Sequence, residues 1–430
     1  MAQVAVSSGR TSATVLYRLR LMMFLQYFVQ GAYLTIVAVY LRDALHFTGA
    51  QTGWFLAAIG VGPVVAPFVV GQLVDRHLAT ERVLAACHLL AGLLMLGLYV
   101  QERFWPVLLL GTAYSILYIP TMMLTNSLAF HHLADRDREF PLVRVWGTIG
   151  FILPSWFILF YFLKGLQGDE LNRAQGVAFA VSGLGGIVMA LYCLTLPRTP
   201  PDRARSGKFA PGVVLRLAAR RDFLVLFVVT FFLAAAHNYY FVFNGPLVKA
   251  VLLRVQRADW VQTFMSIGQV AEIGVMAALG PSLVRLGYKR TMLIGATSYA
   301  LRCAALAGAG HAGLPFGVAV ALAAAGQALH GVCFGFFLAA AFIYVDRASP
   351  ADVKGSMQTI FGTFIFGIGA VLGGVWGGAM SDRFVAGQGD AAVYDWNALW
   401  LSCGALAALF AGMLALGFPR AQISADDARP

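Results

Sequence analysis

The chain has 430 residues, of which 59% are hydrophobic and 12% charged, and its formal net charge is +11. Soluble domains carry about a quarter charged residues, so this composition excludes an ordinary soluble enzyme or binding module and points to a polytopic membrane protein. The basic excess calls for no nucleic acid, because membrane topology and anionic lipid head groups account for it.

Apolar stretches near the roughly 20 residues that cross a bilayer run at 19–41, 51–74, 82–101, 104–130, 143–163, 176–196, 222–244, 259–284, 290–308, 314–344, 354–378 and 396–418. An even number of spans puts both termini on one side of the membrane. Lys and Arg number 21 in the segments on that side and 8 on the other, while Arg144 and Arg302 fall within spans. The terminal side is therefore expected to be cytoplasmic. Residues 1–17 lack the charged start, apolar core and small-residue site of a cleaved leader. The expected fold is an all-α membrane protein of twelve transmembrane helices: tail 1–17, six-helix bundle 18–196, linker 197–221, six-helix bundle 222–418 and tail 419–430.

Span 1 carries Gln26, Gln30 and Tyr33 at helical steps. The loop after span 2 reads Gly71-Gln72-Leu73-Val74-Asp75-Arg76, and Gly71, Arg76 and Leu84 recur 209 residues later as Gly280, Arg285 and Leu293. The same offset carries Pro106 onto Pro315. The two halves are thus read as a pseudo-symmetric repeat. Span 4 presents Tyr114, Tyr118, Thr121 and Thr125, and span 5 presents Arg144, Thr148 and Phe151. The linker 197–221 is the longest polar break, rich in Pro and Arg. Span 7 adds His237, Tyr240 and Asn244, and span 10 adds His330, Phe334 and Phe337. Such stripes of amides, hydroxyls and rings suit a flat, hydroxylated ligand, although polar groups in membranes also join helix to helix. His237 and His330 are read as neutral histidines bonded between helices, with a share in proton handling as the alternative. Arg302 can either snorkel outward or pair inside.

Glu272 is singular among the acidic residues: it sits mid-span, twelve residues from both Trp260 and Val284. A carboxylate at that depth costs several kcal/mol unless it is protonated, paired or water-facing, so it reads as functional. Ser266, Gln269 and Glu272 follow at steps of three and share one helix face. The five cysteines all fall in spans without metal-ligand spacing, and the sequence holds no phosphate-binding loop, zinc cluster or nucleophile elbow. Neither an enzyme nor a cofactor is expected, and energy must come from an ion gradient.

Several stretches carry a family resemblance: FLQYFVQGAYLT in span 1, YIPTMMLTNS in span 4, FPLVRVWGTIGFI entering span 5, IGQVAE in span 8 and ALRCAAL in span 9. Over nearly its whole length the chain resembles the bacterial nucleoside:H+ symporter family of the major facilitator superfamily. The resemblance implies two six-helix bundles with a substrate site between them near mid-membrane. It implies nucleoside binding and proton coupling by Arg144, Thr148, Phe151, Gln269 and Glu272, and a gate braced by Asp75 and Arg76. In span 10 the family's Tyr, Asp and Asn are replaced by His330, Gly335 and Leu338, which implies a partly rebuilt pocket.

The resulting expectation is a monomeric, multi-pass transporter of the inner membrane that imports nucleosides with protons by alternating access. Its partners are a nucleoside-like solute, protons and lipid. Glu272 is the proton-linked acid, and Gln26, Gln30, Arg144, Thr148, Phe151, Tyr240, Asn244, Gln269, His330 and Phe334 contact substrate. A carrier of a sugar, glycoside or other aromatic solute is the alternative on the same scaffold, and a transport-inactive sensor is the alternative of another class.

Overall fold

In the computed structural model of the chain, residues 11–66, 78–200, 217, 219–350, 354–387 and 392–419 are described. The loop holding Gly71, Asp75 and Arg76 and most of the 197–221 linker lie outside them.

The architecture is two packed helical bundles. In the first, α1 (Ala13–Tyr33) continues as α2 (Val37–Asp43), followed by α3 (Gly49–Ala58) and α4 (Val61–Ala66). Next come α5 (Thr80–Tyr99), α6 (Phe104–His132), α7 (Arg136–Ile158), the short α8 (Gly168–Ala174) and α9 (Val177–Cys193). The second bundle holds α10 (Arg221–Leu253), α11 (Val261–Met265), α12 (Ile267–Ala309), α13 (Phe316–Val332), α14 (Ala340–Ala348), α15 (Lys354–Gly362), α16 (Gly369–Phe384) and α17 (Trp396–Gly417). Among the described residues ten helical stretches are long and apolar enough to cross a membrane. One of them, Ala258–Ala309, is two spans joined at Gly287, whose φ of 74° lies where side chains with a Cβ are strained. With α3–α4 as the described part of span 2, the expected twelve passes are accounted for. An element the sequence did not suggest is a two-residue antiparallel ribbon, Val385–Ala386 with Val393–Tyr394, ahead of α17.

Packing follows the repeat. Within the first bundle α1 packs on α7 and α9, and α5 on α6 and α9; within the second, α12 packs on α13 and α17, and α10 on α16 and α17. Between the bundles α3 meets α16 and α7 meets α12. Those contacts pair span 2 with span 11 and span 5 with span 8, which a two-fold exchange of the halves would interconvert. Glycine permits the close approaches: a Cβ on Gly331 would lie 2.6 Å from the backbone N of Glu272, so spans 8 and 10 touch backbone to backbone at the acid.

Three stretches are wound as π-helix: Leu159–Leu163, Cys333–Ala339 and Thr363–Ile368. Widened turns of this kind change which side chains share a face and recur at functional sites. In span 10 the widening separates two rings that α-helical steps would align. Phe334 reaches the central cavity, whereas Phe337 is fully buried with its ring edge-on to Tyr299 at 6.2 Å.

Candidate functional site

A cavity of about 570 Å³ lies between the bundles. Its volume is in the range of small-molecule sites. The first bundle contributes Tyr27 and Gln30 from α1, Asn126 from α6, and Arg144, Thr148 and Phe151 from α7. The second contributes His237 and Asn238 from α10, Gln269 and Glu272 from α12, and His330 and Phe334 from span 10, with Gln358 and Thr363 from span 11. Glu272 is half-buried on this wall. Arg144 lines the same space but leans back over the Tyr27 ring, 4.1 Å from its centroid. No ion pair joins Arg144 to Glu272 among the described residues. Gln269 holds a buried amide oxygen without a protein partner, as does Asn126.

Three expected contact residues sit elsewhere. Gln26 is fully buried inside the first bundle, where Nε2 donates to Thr121 Oγ1 at 2.8 Å and Oε1 lies 2.9 Å from His88 Nε2. Its partner stripe in span 4 points inward with it: Tyr118 donates to the Gln26 carbonyl at 2.5 Å. Tyr240 and Asn244 are buried behind the cavity wall in a network with Gln327, which Tyr240 also contacts. Asn244 Nδ2 donates to the Tyr240 hydroxyl at 2.7 Å, and Gln327 Nε2 donates to Asn244 Oδ1 at 2.7 Å. Helical periodicity gave each stripe a common face; it did not tell a face toward the cavity from a face toward a neighbouring helix. Ser266 likewise turns away, donating to the Thr263 carbonyl at 2.6 Å where α11 breaks before α12.

Residues that sequence reasoning missed include Asn126, Asn238, Gln358 and Thr363. Each is a polar side chain in an apolar span, the only signal that could have found them. Arg302 does not snorkel: it is 0% exposed, with Nη1 at 3.1 Å from His330 Nδ1 and its guanidinium over the rings of Tyr240 (4.4 Å) and Tyr299 (4.9 Å).

The cavity is closed on the side away from the termini. There Lys249 Nζ donates to Asp43 Oδ2 at 2.6 Å and to Asn172 Oδ1 at 2.8 Å. Arg42 Nη1 donates to Ser381 Oγ at 2.6 Å, the Ala50 amide to Asp382 Oδ1 at 3.1 Å, and the Gly165 amide to Asp259 Oδ2 at 3.1 Å. Gln262 Nε2 donates to the Ala32 carbonyl at 2.6 Å just above the cavity. Among the described residues, hydrogen bonds between the bundles lie at mid-depth or beyond it on this side. The lining instead extends toward the terminal side through Asn126, Gln358 and Thr359. Among the described residues, the cavity is thus sealed by hydrogen bonds at the end away from the termini.

A family model described as nucleoside H+ symporter matches residues 13–422. The chain belongs to this family. Among relatives, YegT of Escherichia coli K12 is 30% identical over 418 residues, covering 93% of each chain. The xanthosine permease of the same organism is 28% identical, covering 94% of this chain and 96% of the permease. A crystal structure of the nucleoside transporter NupG superposes with a TM-score of 0.80 at 23% identity, over 95% of this chain and all of that one; at that identity it speaks for the fold. As a nucleoside H+ symporter the protein is a multi-pass transporter of the cytoplasmic membrane and not an enzyme. Its substrate is a nucleoside, moved with protons.

Proposed function

We propose that this symporter imports nucleosides by alternating access through the interbundle cavity, with Glu272 as the proton carrier. The observation that carries the assignment of roles is the convergence on one cavity of Glu272, Gln269, Arg144, Thr148, Phe151, Gln30, His330 and Phe334, drawn from both bundles. Phe151 and Phe334 offer faces on which a base can stack, and Gln30 and Gln269 offer paired donors and acceptors for base edges and ribose hydroxyls.

Glu272 protonated is a neutral group at mid-membrane; deprotonated, it faces the same cavity as the Arg144 guanidinium and its water. Proton release on the terminal side therefore leaves the carboxylate in the one environment that tolerates it. One proton moved down a potential of about 100 mV supplies roughly 2.3 kcal/mol, near a fiftyfold concentration ratio. The contacts of Lys249, Asp43, Arg42 and Ser381 form the far gate. Each copy holds a whole cavity between its own bundles, so the working unit is a monomer in lipid, with no nucleic acid partner.

Uptake of radiolabelled uridine into proteoliposomes, with and without an imposed pH gradient, tests the reading. Glu272→Gln keeps hydrogen bonding but cannot release a proton. It is expected to retain uridine exchange and lose gradient-driven accumulation; a variant that still concentrates uridine would remove Glu272 from the coupling step.

A further inference from the structure

We propose that Arg302 locks His330 into a single tautomer, making it a hydrogen-bond donor to the substrate, so that the cavity prefers bases presenting a carbonyl oxygen to bases presenting an amino group. The inference rests on nucleoside transport through this cavity and adds the feature of the base that is read.

Arg302 Nη1 lies 3.1 Å from His330 Nδ1. A guanidinium has only donors, so Nδ1 must be the accepting nitrogen and the ring proton must reside on Nε2. Arg302 is fully buried, and His330 lines the cavity. The ring nitrogen left for a ligand is therefore Nε2, as an N–H donor. Adding a second proton at Nδ1 would break the bond to Arg302, so the imidazole is a fixed donor and not a group that changes role.

The surroundings hold this arrangement in place. The guanidinium is fixed over the Tyr240 and Tyr299 rings, and the His330 ring stacks on Tyr240 with centroids 4.8 Å apart. His237 lies on the other side, its ring centroid 4.8 Å from that of His330 and its Nδ1 3.2 Å from the Tyr299 hydroxyl. Among the described residues no carboxylate pairs with Arg302, and its Nε and Nη2 have no hydrogen-bond partner. Among the described residues, His330 is thus the nitrogen acceptor that this buried cation engages, beside the ring faces and the neighbouring Cys303 sulfur. Arg302 acts through His330 and is a positioning residue; His330 is the residue that reads the base.

A carbonyl oxygen facing Nε2–H completes a hydrogen bond. An amino group in the same place sets donor against donor and leaves both unsatisfied, a mismatch that discriminates about tenfold to a hundredfold.

The test uses the full chain in nanodiscs and competition against bound radiolabelled uridine within matched pairs. Uridine against cytidine, and inosine against adenosine, keep the ribose constant and exchange oxo for amino. The oxo member of each pair is expected to bind at least tenfold tighter. Arg302→Gln, whose amide can donate or accept, frees the tautomer, and the ratio should fall to within about threefold. A purely structural role for Arg302 would weaken both members alike and leave the ratio unchanged. As a second measurement needing no change at Arg302, the ¹⁵N spectrum of histidine-labelled protein, with His330→Gln for assignment, should show a bare Nδ1 and a protonated Nε2 at His330. Equal affinities within the pairs, or a protonated Nδ1, overturn the proposal while nucleoside transport stands. If no member of any pair binds, the nucleoside reading of the cavity falls and this proposal with it.

Discussion

Breaking the far gate should change the conformational balance by a predictable amount. Lys249 and Asp43 are joined at 2.6 Å with side chains only 5% and 8% exposed. Lys249→Met takes the Lys249 cation away from the buried Asp43 carboxylate, a loss of about 3–5 kcal/mol in sites of this kind. Once the gate opens, water solvates that carboxylate, and the pair was worth only about 0–1 kcal/mol there. The closed form is therefore disfavoured by about 2–5 kcal/mol, which moves the ratio of far-side-closed to far-side-open molecules by roughly thirtyfold to several thousandfold. Spin labels introduced through Glu102→Cys and Ala312→Cys, both exposed on far-side turns of the two bundles, report the separation by electron–electron dipolar spectroscopy. The five native cysteines are buried and would be replaced in that background. Lys249→Met is expected to shift the distance distribution to longer values. Adding Asp43→Asn, which removes the carboxylate charge, should bring it back most of the way. An unchanged distribution in the single variant, or an equal shift in the double variant, would refute the reasoning that loss of the Lys249 cation beside the buried Asp43 carboxylate drives opening.

Phe334→Ala should weaken uridine binding by about 1 kcal/mol or more, measured as equilibrium Kd, because a stacking face is lost; an unchanged Kd would move the base elsewhere. Gln26→Leu should lower the thermal midpoint, since it leaves the buried His88 ring without its hydrogen bond and Thr121 with only its bond to the Tyr118 carbonyl, at a cost of about 1–3 kcal/mol, while the uridine Kd stays within about twofold. A hexose should compete poorly with uridine in the same assay, since it leaves the Phe151 and Phe334 faces unfilled; equal competition would favour a sugar carrier.

The spans, the halves and the isolated acid could be read from the sequence because each depends on a local sum. Hydropathy over some 20 residues decides whether a segment enters the bilayer, and a carboxylate amid such a segment stands out without reference to any neighbour. The span 5 and span 8 blocks, including Arg144 and Gln269, resembled a known family for the same reason: the signal is a short contiguous string. Orientation of side chains around the helices was decided by packing. Gln26 and Gln30 are one helical turn apart on the same stripe, yet Gln26 is tied to Thr121 and His88 inside the bundle and Gln30 meets the cavity. Periodicity fixes relative angles along a helix; which neighbour occupies each angle depends on how twelve helices cross. The π-helical turn that parts Phe334 from Phe337 is likewise set by contacts with other spans. Arg302 could have reached lipid head groups or turned inward, and only the neighbouring His330, Tyr240 and Tyr299 settle that it turned inward. Lys249 and Asp43 are 206 residues apart, and no local property of either predicts the other. The sequence by itself determined a membrane-spanning repeat with one acid at its centre, because those features are additive along the chain. The tertiary structure alone decided which polar groups face the substrate path, which lock a bundle and which close the far gate, because those depend on partners that folding brings together from distant segments.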